Sequence, residues 1–111
     1  MKKFLVLYKA PASAIEQMAK ATPEQMKAGM HLWMKWKKAN DKAIVDLGTP
    51  LGNGDDLQKG ASSKSKSDVC GYSILQGDSM SSVKKVLENH PHFQTPGGSI
   101  TVLEFLPVPG M

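Results

Sequence analysis

Residues 3 to 9 read Lys-Phe-Leu-Val-Leu-Tyr-Lys, "KFLVLYK". In an extended chain Phe4, Val6 and Tyr8 point one way, and Leu5 and Leu7 point the other. A strand that is apolar on both faces belongs in a sheet that is covered on both faces. Pro11 ends this first strand.

Two helices follow. Ser13 with Glu16 has capping-box spacing and opens a short helix to about Ala21. Thr22-Pro23-Glu24-Gln25 opens a second: a threonine N-cap, proline at the first helical position, and Gln25 three residues after the cap. It runs to about Asn40, and its stripe of Met26, Met30, Trp33 and Met34 is expected to face the core. Ala43 to Leu51 reads as a second strand, and the Gly-, Ser-, Asp- and Lys-rich residues 52 to 68 read as a long hairpin connection or flap. Val69 to Gln76 is a third strand. Asp78 or Ser79 caps a third helix with Met80, Val83, Val86 and Leu87 inward, and Ser99 to Leu106 is a fourth strand before a Pro-Val-Pro-Gly-Met tail.

The order β-α-α-β-β-α-β predicts an α+β, ferredoxin-like split βαβ: one domain over residues 1–111, with a four-stranded antiparallel sheet and helices on one face. In the fourth strand Ile100, Val102 and Leu106 lie on one side, and Leu103 and Phe105 on the other. The helices cover only one face of such a sheet. The bare apolar face marks an interaction site, and a symmetric dimer packed sheet to sheet is the economical partner, alone or as a multiple.

Composition narrows the function classes. Of 111 residues 41% are hydrophobic, too many for a disordered chain. The net charge is +4, but all 14 basic residues are lysine, scattered among acids. Without arginine forks for guanine or phosphate, a solvated basic surface is the better reading than nucleic-acid binding. The longest apolar run, Phe4 to Tyr8, is far short of a membrane span, and Lys9 interrupts any signal-peptide core. A cytoplasmic protein is expected. The single Cys70 excludes an internal disulfide and a multi-thiolate zinc site, and reads as a small buried hydrophobe. No phosphate loop is present, and neither a metal nor a cofactor is expected.

Four stretches carry a resemblance: "KKFLVLYKAP", "LWMKWKKANDKAIVDLGTPL", "GYSILQGDSMSSVKKVLENHPHF" and "SITVLEFLPVPGM". Together, across nearly the whole chain, they resemble the YCII-related (DGPF) family. The most specific pieces are Asp46-Leu47-Gly48 with Pro50-Leu51, the Gly71-Tyr72-Ser73-Ile74 strand before a helix, the His90-Pro91-His92 helix exit and the Pro-Gly-Met ending. The resemblance implies the dimeric α/β barrel superfamily. That superfamily includes cofactor-independent monooxygenases, muconolactone-type isomerases and haem-handling enzymes. Better-known family members carry a His and Asp pair suggested to be catalytic.

The candidate catalytic residues are Asp46, His90, His92 and His31. Asp46 stands in a strand, where aspartate is depleted, in the phase of Ile44 and Gly48. Its two readings are a carboxylate inside the dimer barrel beside a histidine, equipped to move a proton, or an edge residue facing water. His90 and His92 flank Pro91 where the helix must stop. Either they face a cavity at the sheet edge, or one of them caps the carbonyls of the helix end. His31 falls with Lys27, Lys35 and Lys38, so the helical wheel turns it to solvent. Tyr72 and Glu104 have two readings as well, lining the same barrel or standing as rim or core groups. Two functions stand side by side: a cofactor-independent isomerase, lyase or oxygenase type of enzyme acting on a small organic molecule through Asp/His proton transfer, and a non-catalytic ligand-binding or regulatory module.

Overall fold

A computed structural model describes residues 1–110. Met111, the last residue of the Pro-Gly-Met tail, lies outside the described residues. The four-stranded antiparallel sheet has the order β2 (Ile44–Asp46), β5 (Val69–Gly77), β1 (Lys2–Lys9), β6 (Ser99–Glu104). The helices are α1 (Ala14–Lys20), α2 (Pro23–Ala39) and α3 (Met80–Leu87), and residues 52–68 contain a separate hairpin, β3 (Asp55–Gln58) with β4 (Ala61–Lys64). This is the expected ferredoxin-like α+β arrangement, with the βαβ halves split so that the first strand lies between the last two long ones.

The caps form as their residues dictate. Ser13 Oγ accepts from the Glu16 N–H at 3.1 Å, and Thr22 and Gln25 close a reciprocal capping box at the start of α2. Ser79, rather than Asp78, caps α3.

Cross-strand register sorts the two faces of the sheet. Phe4, Val6 and Tyr8 stand opposite Leu75, Ser73 and Gly71 on β5 and opposite Glu104, Val102 and Ile100 on β6. Phe4, Val6, Tyr8, Leu75 and Ser73 are all buried, so this is the helix-covered side. Leu5 and Leu7 share the open face with Tyr72, Ile74, Thr101 and Leu103. On that face Leu103 is 50% exposed and Phe105 48%.

The methionine stripe departs from expectation. Met26, Met30 and Met34 are 46%, 62% and 45% exposed, while Trp36 is buried and Trp33 half-buried against the core. The inward face of α2 follows Gly29, Trp33, Trp36 and Asn40, and the methionines lie to one side of it. The register is set by the Trp36 indole N–H, which donates to the Val86 carbonyl at 3.0 Å and ties the second half of α2 to α3. At 1.5 Å per residue, a helix over Pro23–Ala39 outruns the layer beneath it, and residues 22–28 are exposed throughout.

Candidate functional site

The histidines come together inward, at the exit from α3. A short 3-10 helix, Pro91–Gln94, starts there, and His90 is its N-cap: its Nδ1 accepts from the His92 backbone N–H at 2.9 Å. His90 thus caps the beginning of this turn and not the carbonyl end of α3. His92 Nε2 stands 2.8 Å from the Lys9 carbonyl, and because a carbonyl only accepts, that nitrogen carries the ring proton. Both side chains are buried, His90 at 1% exposure and His92 at 5%.

Around His90 stands an aromatic box. Its ring stacks on Tyr8 at 4.8 Å between centroids and meets Trp33 and Trp36 edge-to-face, each at 4.4 Å. Tyr8 also meets Trp33 at 5.0 Å and His92 at 5.3 Å. Below the box runs a hydroxyl relay: the Tyr8 O–H donates to Ser73 Oγ at 2.8 Å, and the Ser73 hydroxyl donates to the Leu47 carbonyl at 2.5 Å.

The electrostatics follow from burial. Loss of water disfavours the imidazolium, and with His92 beside it the His90 ring is pushed from the usual 6.5 down to about 3. The same desolvation pushes the Tyr8 phenol up to about 12, partly offset by its bond to Ser73. Both groups are neutral at physiological pH. Since Nδ1 of His90 is an acceptor, its proton sits on Nε2, and that buried N–H has no hydrogen-bond partner. Burial likewise pushes the Cys70 thiol up, which keeps it inert.

Asp46 stands elsewhere. A register shift between Ile44 and Asp46 sets Ile44 opposite Leu75 but Asp46 opposite Ile74, so Asp46 leaves the phase of Ile44 and turns to the open face. There it is exposed; Oδ1 accepts the Gly48 N–H at 2.9 Å and Oδ2 accepts the Tyr72 O–H at 3.1 Å. That carboxylate raises the Tyr72 phenol above its ordinary value. The structure therefore brings His90 and His92 together with Tyr8, and it brings Asp46 together with Tyr72, but the sheet separates the two pairs. Glu104 also parts from Tyr72: it stands opposite Phe4 on the helix side, with Lys2 at 3.5 Å. His31 is exposed on α2, away from both clusters. An open groove of about 440 Å³ lies at the β6 edge, lined by Leu87, Phe93, Ile100 and Val102, and neither His90 nor His92 lines it. Among the described residues no three His, Cys, Asp or Glu side chains are grouped to hold a metal ion, and no helix is long and apolar enough to cross a membrane.

Tyr8, Ser73, Trp33 and Trp36 were absent from the sequence-derived candidates. Ser73 carried a signal: it is a small hydroxyl in an apolar strand, opposite Val6 on the helix-covered face of β1. The relay is testable. Tyr8→Phe removes one donor and leaves Ser73 bonded to Leu47, and is expected to cost about 1 kcal/mol. Ser73→Ala strands the buried Tyr8 hydroxyl and is expected to cost about 2–3 kcal/mol. Urea unfolding of both variants checks the order; equal losses would count against the relay.

The arrangement of sheet and helices is a ferredoxin-like α+β fold. A solved structure with this fold is a 5-chloro-2-hydroxyhydroquinone dehydrochlorinase from Burkholderia phenoliruptrix AC1100, in complex with 2,5-dihydroxybenzoquinone. It is similar to this chain at 15% sequence identity over 97% of this chain and 96% of that one, with a TM-score of 0.56. No protein-family model matches the chain, and comparison with curated proteins finds no match by sequence.

Proposed function

We propose that residues 1–111 form one YCII-related domain, a cytoplasmic homodimer that acts without a cofactor on a small organic molecule by proton transfer. The observation that carries this reading is the buried, neutral His90 with a free Nε2–H beside Tyr8. A neutral imidazole fixed as a donor can polarise a carbonyl oxygen without the competing imidazolium, which acidifies the carbon next to that carbonyl so that its proton passes to a water molecule admitted with the ligand. The proton-moving role thus rests on His90 with His92 as the residue that fixes its tautomer, while Asp46 with Tyr72 is a second polar pair on the open face. The neighbouring enzyme's quinone complex supports a small ring as the kind of molecule this fold accommodates. The half-exposed Leu103 and Phe105 support closure of the open face by a second copy.

Two experiments test the reading. Light scattering is expected to give twice the 12.0 kDa chain mass or a multiple, and Leu103→Lys is expected to shift it to monomer. Proton–deuteron exchange next to the carbonyl of cyclic enones and hydroxyquinones is expected to be faster with the protein than in buffer, and to fall about 10²-fold or more with His90→Gln. Exchange at the buffer rate throughout would overturn the enzyme. It would leave the ligand-binding module, a reading favoured by how completely His90 is shut from water.

A further inference from the structure

We infer that the box around His90 is a ring-binding site for a planar, uncharged molecule bearing one hydrogen-bond-accepting oxygen, which takes the place of the Trp33 indole beside the stacked rings of Tyr8 and His90. The inference rests on the proposed role of His90 as the group that meets the ligand, and adds to it the class of ligand and the way in.

Among the described residues, His90 Nε2 is the one buried side-chain nitrogen or oxygen with no hydrogen-bond partner. A buried donor left unmatched is unfavourable, and such groups are rare. The hydrogen bonds of the cluster run elsewhere: Nδ1 of His90 to the His92 N–H, His92 Nε2 to the Lys9 carbonyl, the Tyr8 O–H to Ser73, and the Trp36 indole N–H to Val86. The free group is a donor, so the complementary ligand atom is an acceptor.

Its surroundings set the rest. The faces around it are aromatic, which suits a flat ring. The Lys9 ammonium lies 3.9 Å from the Asp68 carboxylate, and no cation is among the groups that face His90, so nothing there stabilises an anionic ligand.

Trp33 marks the way in. It is half-buried and touches both Tyr8 and His90, whereas Trp36 is anchored through its N–H. Trp33 follows the overhanging first half of α2, whose residues 22–28 are exposed. The rings around His90 are aromatic, and a ring face is a weaker acceptor for the Nε2–H than a carbonyl.

The probe is 4-pyranone, with benzene as the ring that lacks the acceptor and benzoate as the charged one. The wild-type protein is expected to bind 4-pyranone with a change in tryptophan fluorescence and a downfield shift of the His90 Nε2–H proton. Benzene is expected to bind about five- to tenfold more weakly, the margin of one hydrogen bond, and benzoate weaker still. His90→Phe is expected to erase the margin between 4-pyranone and benzene. Should that variant fail to fold, the Nε2–H shift in the wild-type protein decides alone. An unmoved Nε2–H, or equal binding of all three probes, would overturn the ring site. Binding is read here without turnover, so ring binding with no proton exchange removes the enzyme and keeps the site, and exchange without ring binding does the reverse.

Discussion

Lowering the pH from 6.5 to 3 is expected to remove about 4–5 kcal/mol of folding stability through His90 alone. In the unfolded chain this imidazole takes up a proton near its ordinary 6.5, whereas in the folded chain burial holds that step down to about 3. A base whose folded value is depressed contributes its full stability above 6.5. As the pH falls through the window, the unfolded state binds a proton that the folded state refuses, and stability is lost at up to about 1.4 kcal/mol per pH unit. The groups facing His90 are Tyr8, Trp33, Trp36 and His92, none of them a carboxylate that could hold the imidazolium. The stretch between pH 6 and 5 isolates the effect, because unfolded-state carboxylates titrate mainly lower. Urea unfolding at fixed protein concentration at pH 7.5, 6 and 5 measures it, and His90→Phe is expected to flatten the slope. A wild-type stability that stays level from pH 7 to 5 would mean that the ring is hydrated or paired.

How much of this was legible in the sequence depended on whether the signal was local. The N-caps at Ser13 and Thr22 and the alternation of Phe4, Val6 and Tyr8 against Leu5 and Leu7 are written in neighbouring residues, and the structure repeats them. The methionine stripe of α2 was misleading for a physical reason. Periodicity tells which residues share a face, but the indole bond from Trp36 to Val86, fifty positions away, chose the face that turns inward. The phase of Asp46 was misleading in the same manner, since a single register shift against β5 set it opposite Ile74 on the open face, where it is the exposed edge residue of its second reading. The histidines were recognisable as candidates by their place at a helix exit. Their aromatic box was not, because Tyr8, Trp33, Trp36 and His90 come from three distant segments that only the folded chain joins.

Gly48→Ala is expected to cost more than about 3 kcal/mol, and Gly60→Ala only about 1 kcal/mol, although both glycines share a φ of 81°. The left-handed backbone gives both substitutions the same modest strain. The difference lies in what an added methyl meets. At Gly60, in the turn between β3 and β4, a Cβ finds nothing within 4 Å. At Gly48 it stands 1.7 Å from the Tyr72 carbonyl oxygen and 2.6 Å from its carbon, and backbone in the middle of β5 cannot step aside as a side-chain tip would. Relief requires residues 47–51 to lift away from β5. That segment is bound there by the Ser73 hydroxyl to the Leu47 carbonyl, by Tyr72 N–H to Thr49 O at 3.4 Å, and by Leu51 N–H to Cys70 O at 3.0 Å. The damage reaches the site, because Ser73 is also the acceptor for Tyr8 and Tyr8 carries the His90 ring. Gly48→Ala is thus expected to lower the urea midpoint strongly and to disturb the tryptophan emission of the box, with Gly60→Ala leaving that emission unchanged. Equal midpoints for the two variants would mean that the loop after β2 stands free of β5, and that the relay beneath His90 is not held from that side.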